Sequence, residues 1–419
     1  MDKQTLFSRI DERKDELYSL LSELIRFNSE NDGHGGNEKE CAAYVADYCR
    51  KLGFETDVYS PMDLDGFGEH PDYLPGKHLE DRPNVTARWK GAEDKDTLMM
   101  MGHTDTVIIG DLANWTCDPL GGEIRDGKIW GRGATDDKYA VAAVMFLMKL
   151  LKEEGFAPKS NFLFTAYCDE EKGGSHGALA SALRYPCERV VNLDCLEDVI
   201  WHCASGGGEV TYSWHTSDVV DSAYRTTLAL PFFFETMTEF GKRREAELEE
   251  NRFYKGTEIP GTSLRYLDVH IGNQGADLGN GKVLFVYYTD KTKAEIEAEF
   301  SVMEAHLKKE LEPLGIISDG FAPETRFFHY EYTEPNNEPI LDMVEAVREV
   351  TGEEIPVCGS CLSDLSVILK YGCKTAFAYG IGRNFDQYGG SHQPDEHISC
   401  EKFLEFTKVL GAYIVNTLN

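Results

Sequence analysis

The sequence has no uninterrupted apolar run of the ~18 residues that a membrane-spanning helix requires, so it predicts no transmembrane segment. It is also short of positive charge, with 42 Lys and Arg against 73 Asp and Glu and a formal net charge of -31. Nucleic acids and anionic lipid surfaces both call for basic surface, so neither is expected as a partner. Residues 1–27 are amphipathic and densely charged, without the short apolar core and small-residue cleavage site of a secretory signal; a soluble, cytoplasmic protein is expected. Cysteine is present eleven times, but the single C-x-x-C spacing, Cys358 with Cys361, has no second pair or adjacent histidine to complete a zinc knuckle. Reduced, mostly buried thiols are the simpler reading.

A chain of 419 residues exceeds the size at which one core keeps growing, which predicts two domains. Leu6, Ile10, Leu17, Leu20, Leu21 and Leu24 recur at helical spacing, and "EKECAAYVADYCRKLGF" gives another amphipathic helix. Residues 60–83, rich in Gly, Pro, Asp and His, read as a long loop, with His70 and His78 as surface residues. Beyond it, apolar runs alternate with helical patterns through "RVVNLD". Runs apolar throughout suit strands covered on both faces. After about Ser205 the pattern changes to alternating strands, "GGGEVTYSWHTSD", "SLRYLDVHI" and "KVLFVYYTD", with two long helical stretches; the first pattern returns near Thr333. The expected fold is α/β: a discontinuous catalytic domain, 1–204 and 326–419, with a mostly parallel helix-flanked sheet, and an inserted α+β lid, 205–325, with a four-stranded sheet and two helices.

Polar residues break the apolar texture repeatedly at the carboxyl ends of the predicted strands, where open α/β sheets bind ligands. His103 and Asp105 follow "TLMMMG"; Glu170 and Glu171 follow "NFLFTAYCD"; Asp194 closes "RVVNL"; His392 lies in the loop after "TAFAYGIG". Asp136 and Asp137 of "GRGATDDK" stand at a helix start, where capping by itself explains two acids. Gly131-x-Gly133 is a poor dinucleotide fingerprint, since Asp136 takes the place of the third glycine. Four or five carboxylates and two histidines at one edge repel one another unless a cation sits among them, and a pair of divalent metals meets that need. Imidazole with carboxylate and no thiolate suits zinc first, then cobalt or manganese. Two metals sharing a bridging carboxylate activate a water for acyl or phosphoryl hydrolysis.

The ordered motifs "GHTDTV", "GRGATDDK", "CDEEKGGSHGA", "NLDCLED" and "GGSHQPDEHIS" resemble those of the M20 family of metallopeptidases and deacylases, over nearly the whole chain. The resemblance implies that His103, Asp136 and Asp194 hold one metal and that Asp136, Glu171 and His392 hold the other, with Asp136 as bridge. It places Glu170 as general base and Asp105 as the carboxylate behind His103, fixing its tautomer. Asp137 and Glu197 fall at non-ligand places. In this family the lid lends a histidine to the oxyanion: His215 is the first candidate, although the usual preceding glycine is missing, and His270 is the competitor. The family's substrate-gripping arginine is not evident; Tyr287, Tyr288 and Lys291 stand there instead. Ser363 and Asp364 of "GSCLSDLS" match a motif bordering the pocket, or simply cap a helix, and Tyr379 to Gly382 resembles a glycine turn at the pocket floor.

The implied activity is hydrolysis of the amide of a small peptide, of dipeptidase or aminopeptidase type, with N-acyl amino-acid deacylase as the alternative. Aspartate at position 194, where the family's deacylases tend to carry glutamate, favours the peptide reading. A metal-binding protein without catalysis is the remote alternative, which an intact Glu170 disfavours. Family members either dimerise through the lid or stand alone, so a homodimer is an open expectation.

Overall fold

The computed structural model describes residues 2–216 and 222–419. Ser217 and Asp218, the last two residues of the predicted strand "GGGEVTYSWHTSD", lie outside them. The chain divides into two compact units: Met1–His202 with Tyr332–Cys358 and Val367–Asn419, and Cys203–Glu331 with Gly359–Ser366. The lid expected at 205–325 thus takes in a second segment. Within that unit Tyr254 donates to the Ser360 carbonyl at 3.0 Å, Ser360 N–H to Cys203 at 2.8 Å and Ser205 N–H to Cys361 at 3.0 Å.

The sheet of the first unit runs, edge to centre, Glu55–Tyr59, Asn84–Trp89, Ser160–Tyr167, Glu93–His103, Cys187–Asn192 and Cys373–Tyr379. The last four are mutually parallel; the first two pair antiparallel at the edge. Strand 160–167 is buried at every residue, as are Leu98 to Met101, because helices cover both faces. Helix Lys138–Glu153 buries Tyr139 through Met148 without a break, and Cys400–Leu418 packs beside it. The amphipathic stretch at the start forms two helices, Lys3–Glu12 and Lys14–Ile25. They break at Arg13 (φ -112°, ψ 16°), whose guanidinium reaches Glu16 and Glu153.

Register fixes what lies at the sheet's carboxyl edge. His103 is paired with Tyr167, and Met101 with both Thr165 and Asn192. The residues that leave these strands, His103 to Asp105, Cys168 to Glu171 and Leu193 to Asp194, therefore emerge side by side. A small antiparallel sheet, Glu123–Arg125, Lys128–Trp130 and His397–Ser399, brings the loop carrying His392 to the same edge. Its hairpin turns at Asp126 and Gly127, both at positive φ (52° and 70°), which suits the two-residue turn matching strand twist.

The second unit has a four-stranded antiparallel sheet in the order Leu264–Ile271, Asn280–Thr289, Gly206–Thr216, Ile316–Pro323. Along the third of these, Val210, Tyr212 and Trp214 are buried while Thr211, Ser213 and His215 are half-buried, the alternation of a sheet with one covered face. Helices Ala229–Glu250 and Lys293–Leu311 supply the cover through Phe233, Met237, Phe240, Met303 and Leu307. A Thr292/Glu295 capping box starts the second helix.

Candidate metal centre

His103 ends its strand fully buried. Gly102 before it is required by packing: a Cβ there would stand 2.9 Å from Asp137 Oδ2 and 3.1 Å from the Ala140 methyl. The His103 Nε2 lies 3.1 Å from Asp136 Oδ1, and His392 Nε2 lies 3.2 Å from Asp136 Oδ2 and 2.7 Å from Glu171 Oε2. Asp136 thus stands between two imidazoles, one per carboxylate oxygen. Donor atoms of His103, Asp136 and Glu171 all lie within 4.8 Å of one another, and so do those of His103, Glu170 and Asp194.

The expected contact between Asp105 and His103 takes another form. His103 Nδ1 meets the backbone carbonyl of Asp105 at 2.9 Å, whereas the nearest carboxylate oxygen is 3.7 Å away. The carbonyl fixes the proton on Nδ1 and aims Nε2 at Asp136. The carboxylate of Asp105 turns instead to the next strand end, where it accepts the backbone N–H groups of Glu170 (3.0 Å) and Glu171 (3.1 Å) and the Asn31 amide (2.8 Å). Only once the chain is folded does one strand end hold the backbone of the next.

Burial costs these groups their charge unless partners return it. It pulls the His103 imidazole down, but the Asp136 bond and the Glu170 and Asp105 carboxylates win and raise it well above its ordinary value. His392 is lowered by burial, and then carried up to about 10 by Glu171 and Asp136. Asp136, which burial alone would raise, is held below the usual carboxylate range by its two imidazoles, while burial and the Asp136 charge raise Glu171. With no cation present these carboxylates favour protonated imidazoles; divalent cations would supply the same charge without those protons. The donor set, imidazole nitrogens and carboxylate oxygens with no thiolate, fits such ions.

Asp137, outside the expected ligand set, is buried and accepts the His103 backbone N–H at 3.2 Å; burial raises its carboxyl well above the usual range. Glu197 is half-buried, three residues past Asp194. Tyr139 donates to the Leu193 carbonyl at 2.8 Å and accepts the Ile381 N–H at 3.0 Å, tying the Asp194 segment to the Tyr379–Gly382 turn.

Two further arrangements frame the centre, and local spacing announces neither. Arg132 pairs with Glu396 at 2.6 Å, and Glu396 accepts the Thr135 N–H at 2.9 Å, next to Asp136. On the other side Arg82 bonds both Glu38 and Asp169, the residue before Glu170. The sequence marks Arg82 and Glu38 only as charges flanking apolar segments.

In the second unit His215 is half-exposed and bonded through Nδ1 to Asp319 at 2.9 Å; its competitor His270 bonds Asp277 at 2.6 Å. Tyr287 and Tyr288, which the resemblance puts in place of a gripping residue, are 2% and 5% exposed, and Tyr287 packs on Phe240 and Phe300. Ser363 Oγ accepts the Leu365 N–H at 3.2 Å, a capping bond, and Asp364 lies 3.5 Å from Arg326.

Helix-flanked parallel strands with a separate antiparallel sheet, and histidines and carboxylates gathered at one sheet edge, describe a metallohydrolase. The sequence profile of peptidase family M20/M25/M40 matches residues 99–416, and the chain belongs to that family. An uncharacterized metallohydrolase of Methanocaldococcus jannaschii is 25% identical over 436 aligned positions, covering 94% of this chain and 98% of that one. The succinyl-diaminopimelate desuccinylase of Cereibacter sphaeroides is 44% identical over 98 residues, 23% of this chain and 26% of that enzyme. Among solved structures, a di-peptidase of Saccharomyces cerevisiae shares the fold with a TM-score of 0.75 at 15% identity, over 99% of this chain and 98% of that one.

Proposed function

We propose that this M20 hydrolase cleaves the amide bond of small peptides with a free amino end, using two divalent metals, zinc before cobalt or manganese. The observation that carries the reading is the convergence of donor atoms from five separate strand and loop ends, with Asp136 between His103 and His392. Asp136, His103 and Asp194 would hold one ion, and Asp136, Glu171 and His392 the other. Bound there, such ions would supply Lewis acidity, polarising the scissile carbonyl and lowering the pKa of a water.

The chain's own groups do the rest. Glu170 takes a proton from the attacking water and returns it to the leaving nitrogen; its backbone N–H is fixed by Asp105 at 3.0 Å, so the carboxylate swings from an anchored point. General-base assistance of this kind contributes about 10² to 10⁴ in rate. His103 stays aimed through its Nδ1 bond to the Asp105 carbonyl. In the second unit we assign the oxyanion contact to His215, whose Nδ1–H is donated to Asp319; in its doubly protonated form the ring would also donate Nε2–H to a substrate oxygen.

Asp194 supports the peptide reading over the deacylase one, and the dipeptidase likeness at the level of fold agrees with it; the desuccinylase similarity over 98 residues keeps N-acyl amino acids as the second reading. The lid strand Leu264–Ile271 is a sheet edge with Tyr266, Leu267 and Val269 40%, 49% and 45% exposed. A second copy pairing there would cover it, and the reading includes that homodimer. The test is kcat/KM of the metal-loaded protein on dipeptides against their N-acetylated forms. Preference for the free amino end by tenfold or more supports the peptidase reading; the same preference for N-acyl substrates, about 1.4 kcal/mol in transition-state binding, replaces it with the deacylase reading.

A further inference from the structure

The long loop 60–83 ends in two cations that reach the interior. Lys77 has a side chain only 5% exposed, and its Nζ lies 3.1 Å from Asp169 Oδ1 and 3.0 Å from the Lys172 carbonyl. Arg82, 1% exposed, donates through Nη1 to the same Asp169 oxygen at 2.7 Å and through Nε to Glu38 at 2.9 Å. Asn31 joins Asp169 Oδ1 at 3.2 Å to Asp105 Oδ2 at 2.8 Å, and His176 Nδ1 meets Asp169 Oδ2 at 2.5 Å. Asp169 therefore takes contacts from four side chains, and no atom of it faces solvent.

Two features single this carboxylate out. Asp169 has φ +59°, a left-handed backbone that is uncommon outside glycine although aspartate tolerates it better than most residues, and it directly precedes Glu170. Gly174 leaves room for the cluster: a Cβ there would stand 2.1 Å from Asp169 Oδ2 and 2.8 Å from Lys77 Nζ. The backbone that presents Glu170 and Glu171 is thus gripped at both ends, by Asp105 on its amides and by the loop cations on the side chain just before them.

We propose that Lys77 and Arg82 are positioning residues for Glu170: by holding Asp169 in its left-handed conformation they set where the general base points. The long loop serves the reaction from behind the metal centre. The inference rests on the role proposed for Glu170. Lys77 is the residue that separates positioning from plain stability, because its removal leaves Asp169 still paired with Arg82, Asn31 and His176.

The experiment compares Lys77→Met, Lys77→Arg and Glu170→Gln as full-length, metal-loaded proteins, measuring kcat, KM, metal content and the unfolding midpoint. A displacement of about 1 Å at a reacting group costs up to about 100-fold in rate. Lys77→Met is expected to lose tenfold or more in kcat with KM and metal content unchanged, and Lys77→Arg to recover to within threefold of wild type. A Lys77→Met kcat within threefold of wild type overturns the proposal. So does a loss that follows metal content or unfolding, or one that Lys77→Arg fails to restore. Should Lys77→Met not fold, Lys77→Gln, which keeps one donor without the charge, is read by the same criteria, and failure of both to fold marks the contact as structural and overturns the proposal. If Glu170→Gln itself keeps wild-type turnover, the fault lies in the assigned base and not in the loop.

Discussion

The Asp105 carboxylate accepts the backbone N–H of Glu171 at 3.1 Å, joining two strand ends that are neighbours in the sheet and 66 residues apart in sequence. The residue two positions after His103 thereby serves two segments: its carbonyl orients the imidazole, and its carboxylate holds the acidic pair.

Asp105→Ala is expected to leave the two backbone donors of Glu170 and Glu171 without their acceptor and the Asn31 amide with Asp169 alone. Each buried donor so abandoned costs about 1–3 kcal/mol, so the unfolding midpoint falls and turnover falls with it. Asp105→Asn, which keeps one acceptor oxygen, is expected to do less damage on both counts. Calorimetry alongside kcat checks this; an Asp105→Ala protein with wild-type midpoint and activity contradicts the clamp.

Asp136 lies within 3.2 Å of both His103 and His392, whereas His392 contacts only one side of the arrangement. Metal analysis of folded protein should show Asp136→Ala depleted of both ions and His392→Ala of about one. Equal depletion in the two variants removes Asp136 from the bridging role.

His397 contributes to the pH dependence of the fold at acid pH. Burial pushes its imidazole down to about 4, reinforced by Arg383 and Lys128 against the opposing Asp395 carbonyl; Nε2 accepts from Arg383 at 2.8 Å and Lys128 at 3.0 Å. The unfolded chain takes up this proton near pH 6.5, so between about pH 4 and 6.5 it binds more protons than the folded protein. Stability from this group therefore rises with pH across that window and is lost as pH falls. His397→Gln, which keeps an acceptor without a titrating ring, should show a shallower decline of the unfolding midpoint from pH 6.5 to 4.5. A decline as steep as wild type assigns the effect elsewhere.

The layered architecture was readable because fully apolar runs such as Leu98 to Met101 suit only strands covered on both faces, and because His103, Glu170 and Asp194 each follow such a run. Their side-by-side emergence is a consequence of register, which the spacing of motifs hints at without stating. The break at Arg13 was invisible, since the apolar stripe from Leu6 to Leu24 continues across it in helical phase. The Glu38, Arg82 and Asp169 cluster joins residues 44 and 87 apart through contacts that leave no periodic trace. Gly359–Ser366 joins the second unit through backbone bonds to Cys203 and Ser205, and any sequence offers a backbone to bond. The direction taken by the Asp105 carboxylate could not be read either, because carbonyl and carboxylate belong to one residue and only the fold chooses between them.

The most direct test of the account is the kcat of Glu170→Gln on a dipeptide that the wild type cleaves, with metal content measured on the same sample. The amide keeps the size of the carboxylate but cannot accept the water's proton. The account predicts two divalent ions per chain, as in wild type, and a kcat lower by about 10² to 10⁴. Two bound ions with a kcat within about threefold of wild type contradict it.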